Sequence, residues 1–433
     1  MAAAFIQHQR KRVLSLLGFA LLADEDKEVM PNKRKRQQYM REWIARREEK
    51  GVYYQLIREL EVEDHTAYRE FFRVSREQFL FLVEQVRPLI TKKEQPYPIN
   101  CVRSTIKPDE RVAVTLRFLA TGESFHSLEY SFRISRQCIS MIIIETCTAL
   151  FKILGPAYLK TPSSQDEWDH IAEGFRSKWN FPNGLGAIDG KRILIQQPAN
   201  SGSHFYDYKG NNSIVLLAVF GPDYKCIWAS VGTNGRSSDS AIWLNADLRT
   251  ALSSINNPLD IPPPKALPGR SKRVPYVITV DDAFALTNYL LKPFPQSGLS
   301  DDQRIFNYRL SRMRRISENG FGLLANRWRV FRNAIQLPPE TVNILILAAL
   351  VLHNYLRCQH TPLNKVSNLE VLDREDGQGN ILPGHWRNDE ASWQEFRPSV
   401  VTTTQMKHGL LERSTCNILI MKVQSNGNGD NVV

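Results

Sequence analysis

Four acidic residues at three places in the chain stand in unusual settings. Asp189 interrupts the apolar run Gly186-Ala187-Ile188-Asp189-Gly190, and a strand there would half-bury a charge that needs a partner or a metal ion. Asp281 and Asp282 close the strand-like run Tyr276-Val277-Ile278-Thr279-Val280. Neighbours on an extended strand point to opposite faces, so only one of that pair can readily face Asp189. Glu318 sits on a long basic segment, with Arg314 and Arg315 on the preceding helical turn. Carboxylates carried by two strands and a helix offer hard oxygen ligands to Mg²⁺ or Mn²⁺. Two such ions, roughly 3.5 to 4 Å apart, would activate an attacking oxygen and stabilise the leaving one at a phosphodiester. Plainer accounts stand beside this one: Asp189 as a strand-end cap, Asp281 and Asp282 as a loop start, Glu318 as an intrahelical ion-pair partner.

The elements that would carry these residues can be read from periodicity. Residues 186–197, 213–220, 225–231 and 274–280 are short apolar or alternating runs bounded by Gly, Pro, Asn and Asp, the punctuation of strands. Residues 238–249 read as a helix, 255–273 hold too much proline to be regular, 301–332 read as a long basic helix, and 344–352 as a core helix. Strands followed by helices in this order predict an α/β layer arrangement.

Upstream the pattern is helical. Apolar residues between 39 and 91 recur at three and four, as in Phe79, Leu82, Val83 and Val86. Residues 109–150 predict three helices, with Gly122 breaking the first and Ser135 placed to N-cap the third. That is the outline of a helix-turn-helix, whose last helix would bring Arg136, Gln137 and Ser140 to base edges or phosphates. Any small three-helix bundle gives the same pattern.

The whole chain sets outer bounds. Its 433 residues are 42% hydrophobic, 23% charged and 10% aromatic, ordinary globular usage with material for two or three domains. Lys and Arg number 56 against 45 acids, a formal charge of +11 that points to polyanionic partners. No uninterrupted apolar run reaches the 18 residues of a spanning segment, so no membrane partner is expected. The run 13–23 after several basic residues is weighed as a signal sequence, but an amphipathic segment is the preferred reading. Six scattered cysteines without a CxxC pair fit reduced thiols. Lys33, Arg34, Lys35 and Arg36 form a basic cluster that resembles a nuclear-localisation patch or is simply a solvated segment. The polar end, 425–431, is too polar to build a core and is expected to be disordered.

Common nucleotide and hydrolase motifs fail. Gly190-Lys191 lacks the glycine spacing and the Ser or Thr of a phosphate loop, Asp189 occupies the third glycine of a dinucleotide fingerprint, and no GxSxG occurs. His353, Cys358 and His360 lack a second ligand cluster, so helix-end packing explains them better than zinc.

Several motifs taken in order resemble the PIF/Harbinger transposases and their domesticated nuclease derivatives. They are Ala187-Ile188-Asp189-Gly190-Lys191, Gly235-Arg236-Ser237-Ser238-Asp239-Ser240, Asp281-Asp282-Ala283-Phe284, the run from Arg314 to Gly322 with Arg327-Trp328, and Leu352-His353-Asn354. The similarity spans about residues 109 to 358. Arg192 and Ala285 depart from it, standing where the family often has His and Pro. The resemblance implies an RNase H-like catalytic domain whose triad, Asp189, Asp281 and Glu318, holds divalent Mg²⁺ or Mn²⁺. It implies cleavage of double-stranded DNA, strand transfer that favours a homodimer or larger assembly, a separate Myb/SANT-like partner protein, and the nucleus, with cytoplasm not excluded. The expected α/β division is a basic segment at 1–38, a helical helix-turn-helix region at 39–160, an RNase H-like domain at 161–360 and an extension at 361–433. Lys191, Arg192, Arg236, Arg314, Arg315 and Arg327 are the cations expected to contact phosphates beside the triad. A solvated, solubilising helix face is the alternative for the arginines of 309–332. The rival reading of the whole chain is a domesticated DNA-binding or chromatin-associated protein without catalysis.

Overall fold

A computed structural model describes residues 41–92, 104–359, 372–376 and 381–384. The basic cluster at 33–36, the apolar run at 13–23 and the polar end at 425–431 lie outside the described residues.

The first half is helical: α1 (Leu56–Glu63), α2 (His65–Phe72), α3 (Arg76–Ile90), α4 (Pro108–Thr121), α5 (Phe125–Phe132), α6 (Arg136–Tyr158) and α7 (Gln165–Trp179). The three helices expected within 109–150 are α4, α5 and α6. Gly122 ends α4 with φ +69°, a left-handed cap that glycine takes without penalty. Ser135 stands at the N-cap of α6, but its side chain makes no capping hydrogen bond, which corrects the expected cap. α6 extends beyond the expected stretch. It runs 23 residues and buries Ile139, Ile142, Ile143, Cys147 and Leu150, leaving its first turn open.

The second half is built on a five-stranded sheet. Its strands are β1 (Gly184–Leu194), β2 (Ser213–Phe220), β3 (Cys226–Asn234), β4 (Val277–Thr279) and β5 (Leu290–Leu291), in spatial order β3-β2-β1-β4-β5. β1 pairs antiparallel with β2, and β2 with β3, whereas β4 and β5 run parallel to β1. Between β3 and β4 lie α8 (Asp239–Leu244) and α9 (Asp247–Leu252); after β5 come α10 (Asp301–Arg327) and α11 (Pro339–Cys358).

Every residue of β2 is buried because both faces of the sheet are covered. Val215, Leu217 and Val219 face a smaller core shared with Trp168 of α7 and Trp243 of α8. Ile214, Leu216, Ala218 and Phe220 face the larger core, with Phe321 of α10 and Leu345 of α11. That larger cluster continues to Leu82 of α3 and Ile143 of α6, so the core has no break at residue 160. Both α6 and α11 are long and apolar enough to span a bilayer, yet 89% of the most apolar 18-residue stretch of α11 is buried inside the fold, the behaviour of a core helix.

Candidate active site

Asp189 is half-buried in the middle of β1. Its Oδ1 accepts the backbone N–H of Gly190 at 2.9 Å. Burial pushes its carboxyl from the usual range up to about 8; Arg314 opposes that rise, while Glu318 and Asp239 add to it. Glu318 and Arg314 therefore bear on Asp189 from α10, and Asp239 bears on it from α8. Gly320 explains how α10 comes so close: a Cβ there would sit 2.5 Å from the Phe220 ring of β2.

Asp281 reaches the same neighbourhood through strand register. The last parallel pair of β1 and β4 is Ala187 with Thr279, and Asp189 and Asp281 each stand two residues further on. Asp281 Oδ1 accepts the Ala283 N–H at 3.0 Å, which starts the turn leaving β4. Asp282 is exposed and lies 3.8 Å from Lys292 Nζ. The loop-start reading thus holds for Asp281, at a register position level with Asp189.

Asp239 was not singled out as an acid by its sequence setting. Its motif, residues 235–240, is legible, but no periodicity tells that the helix it opens lies against β1. The available signal is Gly190: a Cβ there would lie 2.3 Å from the Asp239 carboxylate. Arg192 fixes the approach of this motif, donating from Nε to Gly235 O at 3.4 Å and from Nη2 to Ser237 O at 3.3 Å. Its guanidinium also lies 4.8 Å from the ring of Tyr208, which is 74% exposed.

Carboxylates of Asp189, Asp239 and Glu318 bearing on one place, with Arg314 as the leading counter-charge, form a donor set that suits a divalent cation. Among the described residues no three His, Cys, Asp or Glu side chains are already gathered around a common ion position.

The expected phosphate-contacting cations divide. Arg236 is exposed and Arg314 half-buried beside the acids. Lys191 and Arg315 are buried, at 3% and 7% exposed. Arg315 is buried near Asp373 and Tyr224, and burial lowers its pKa. Two other arginines of α10 turn to protein partners: Arg309 Nη1 donates to Asn180 O at 3.2 Å, and Arg312 Nε lies 3.1 Å from Glu375. Arg327 is half-buried and donates from Nη1 to Arg73 O at 3.1 Å. At the start of α6, Gln137 is exposed and Ser140 half-buried. Arg136 is exposed but engaged, donating to His126 Nε2 at 2.6 Å and pairing with Glu129 at 3.3 Å.

Residues 188–354 match the model of a DDE superfamily endonuclease domain, and Asp189, Asp239, Asp281 and Glu318 all fall inside it. The chain is 27% identical over 301 residues to the Protein ALP1-like of Arabidopsis thaliana, covering 68% of this chain and 71% of that protein. It is 26% identical to the Arabidopsis Antagonist of Like Heterochromatin Protein 1, covering 68% and 73%. Human HARBI1, named as a candidate nuclease, is 22% identical over 254 residues, covering 58% of this chain and 67% of its own length. The chain is thus similar to the Harbinger transposase-derived nuclease-like proteins through its DDE superfamily endonuclease region. No solved structure matches it.

Within this family's motifs, the structure gives Leu352-His353-Asn354 a mechanical part. Asn354 Oδ1 accepts from Cys226 N at 2.9 Å, and its Nδ2 donates to Tyr158 O at 2.6 Å and to Cys226 O at 2.7 Å. One side chain thereby joins α11, β3 and the end of α6. His353 is buried and its Nε2 lies 2.8 Å from Tyr224 O, so it packs at a helix end as expected.

Proposed function

We propose that this chain is a metal-dependent DNA endonuclease of transposase descent. The observation that carries the reading is the pressure of Glu318 and Asp239 on the half-buried Asp189 at the centre of the sheet. The strand order, with two parallel strands beside an antiparallel trio, supports an RNase H-like reading of the fold.

In this reading Asp189, Asp281 and Glu318 hold Mg²⁺ or Mn²⁺, with Asp239 as an additional acid. A divalent cation bound there supplies Lewis-acid polarisation of the phosphodiester and lowers the pKa of attacking water. Asp189 must give up its proton for that, which Arg314 assists by favouring the ionised form. Arg192 positions the 235–240 motif, Arg236 contacts backbone phosphate, and the exposed Tyr208 offers a stacking face for an unpaired base. The open first turn of α6, with Arg136, Gln137 and Ser140, adds duplex contacts as a helix-turn-helix would. The substrate is double-stranded DNA and the compartment is the nucleus, where a Myb/SANT-like partner and a second copy of the chain would assist.

The test is nicking of supercoiled plasmid by the purified chain with Mn²⁺ or Mg²⁺. Wild type is expected to nick, and Asp189→Asn to stay folded and inactive; equal activity in that variant removes the mechanism. A relative whose name marks it as an antagonist of a heterochromatin protein favours the rival reading of a chromatin-associated DNA binder. That reading predicts salt-sensitive DNA binding without metal and without cleavage product.

A further inference from the structure

A cavity of about 270 Å³ lies between α2 and the ends of α10 and α11. Arg69, Arg73, Arg327 and Arg357 line it, against Glu70 as its acidic lining residue. Two of these guanidinium groups are held by backbone carbonyls: Arg327 by Arg73 O, and Arg357 by Asp223 O through Nε at 3.1 Å and Nη2 at 2.8 Å. A carbonyl orients a cation without neutralising it. Arg73 Nε is buried with no hydrogen-bond partner. Burial, then the like charges of Arg69, Arg357 and Arg73, press Arg327 down to about 10, and burial lowers Arg73 and Arg357 as well.

Arg69, Arg73 and Arg357 bear on Arg327 as like charges around one half-closed space, and a site of this kind is stabilised by an anion with several oxygens, which guanidinium forks match in pairs. We propose that this cavity is a phosphate-binding site that takes a multiply charged phosphate group, supplied by the DNA backbone or by a free polyphosphate anion. The ligand would bridge α2 of the helical half to α10 and α11 of the sheet half. None of the cavity's arginines belongs to the acidic cradle at Asp189, so the two assignments stand or fall separately.

Isothermal titration of the full chain with pyrophosphate, at ionic strength fixed with sodium chloride, reads the site directly. Saturable binding is expected, weakened at least tenfold by Arg69→Gln and by Arg73→Asn. Asn is chosen because Arg73 has φ +61°, a left-handed conformation that Asn tolerates. Lack of saturable binding, or binding unchanged in both variants, overturns the proposal. Phenylglyoxal labelling of the wild-type chain covers the case of a variant that does not fold: pyrophosphate should protect Arg69 and Arg73, and absence of protection overturns the proposal too. Competition by a short DNA duplex would identify the backbone as the phosphate source, and bound pyrophosphate indifferent to duplex would identify a free anion; both support the site.

Discussion

Gly190 and Asp239 are in direct apposition: a Cβ added to the glycine would fall 2.3 Å from the carboxylate. The missing side chain of one residue is the seat of the other, and it sits one position beyond Asp189. Gly190→Ala must therefore displace Asp239 or shift β1. The expected cost is about 1 to 3 kcal/mol of stability, as for other overpacked sites. Cleavage should fall by more than that loss of fold explains, since Asp239 leaves the cradle. Melting curves and plasmid nicking on the same preparation separate the two; full activity in a destabilised Gly190→Ala would show Asp239 to be structural only.

Arg192 offers a different handle on the same motif. Arg192→Lys keeps a positive charge but cannot reproduce two guanidinium bonds to Gly235 O and Ser237 O. Stability should change by less than about 1 kcal/mol, while turnover drops at least tenfold with DNA affinity little altered. A variant that loses affinity and keeps turnover would assign Arg192 to phosphate contact instead.

Acid should weaken the fold through His353. Burial lowers its pKa from 6.5 to about 3, against the opposing hydrogen bond between its Nε2 and Tyr224 O. A base whose folded pKa is depressed favours folding while neutral: the contribution is complete above pH 6.5 and is lost as pH falls toward 3. The slope is about 1.4 kcal/mol per pH unit below 6.5, or roughly 2 kcal/mol between pH 7 and 5. Urea unfolding at the two pH values measures it, and His353→Gln should flatten this part of the profile.

Much of the sheet half was legible because its strands are short and punctuated. The run 213–220 coincides with β2, and residues 225–231 fall within the strand Cys226–Asn234 apart from their first residue. The helix expected at 301–332 stops at Arg327 and continues as a 3-10 turn, Arg329–Arg332. The helix expected at 238–249 divides into α8 and α9. Strand β5 was not anticipated, since two residues carry no period. Among the acids, Asp189 announced itself by standing in an apolar run, whereas Asp239 sits in a polar motif and acquires its place only when α8 folds onto the strand. Burial of Lys191 and Arg315 was illegible for the opposite reason. Both are adjacent to site residues, and sequence does not reveal that their own faces turn into the protein.

The central claim is that acids from β1, the end of β4 and α10 share a divalent cation. Anomalous diffraction from a crystal soaked in Mn²⁺ addresses it most directly. The account predicts a manganese peak contacted by Asp189, with Asp281 and Glu318 drawn in beside it, and no peak in Asp189→Asn. A well-ordered pocket without manganese, or an ion held elsewhere while Glu318 turns away from Asp189, would contradict it.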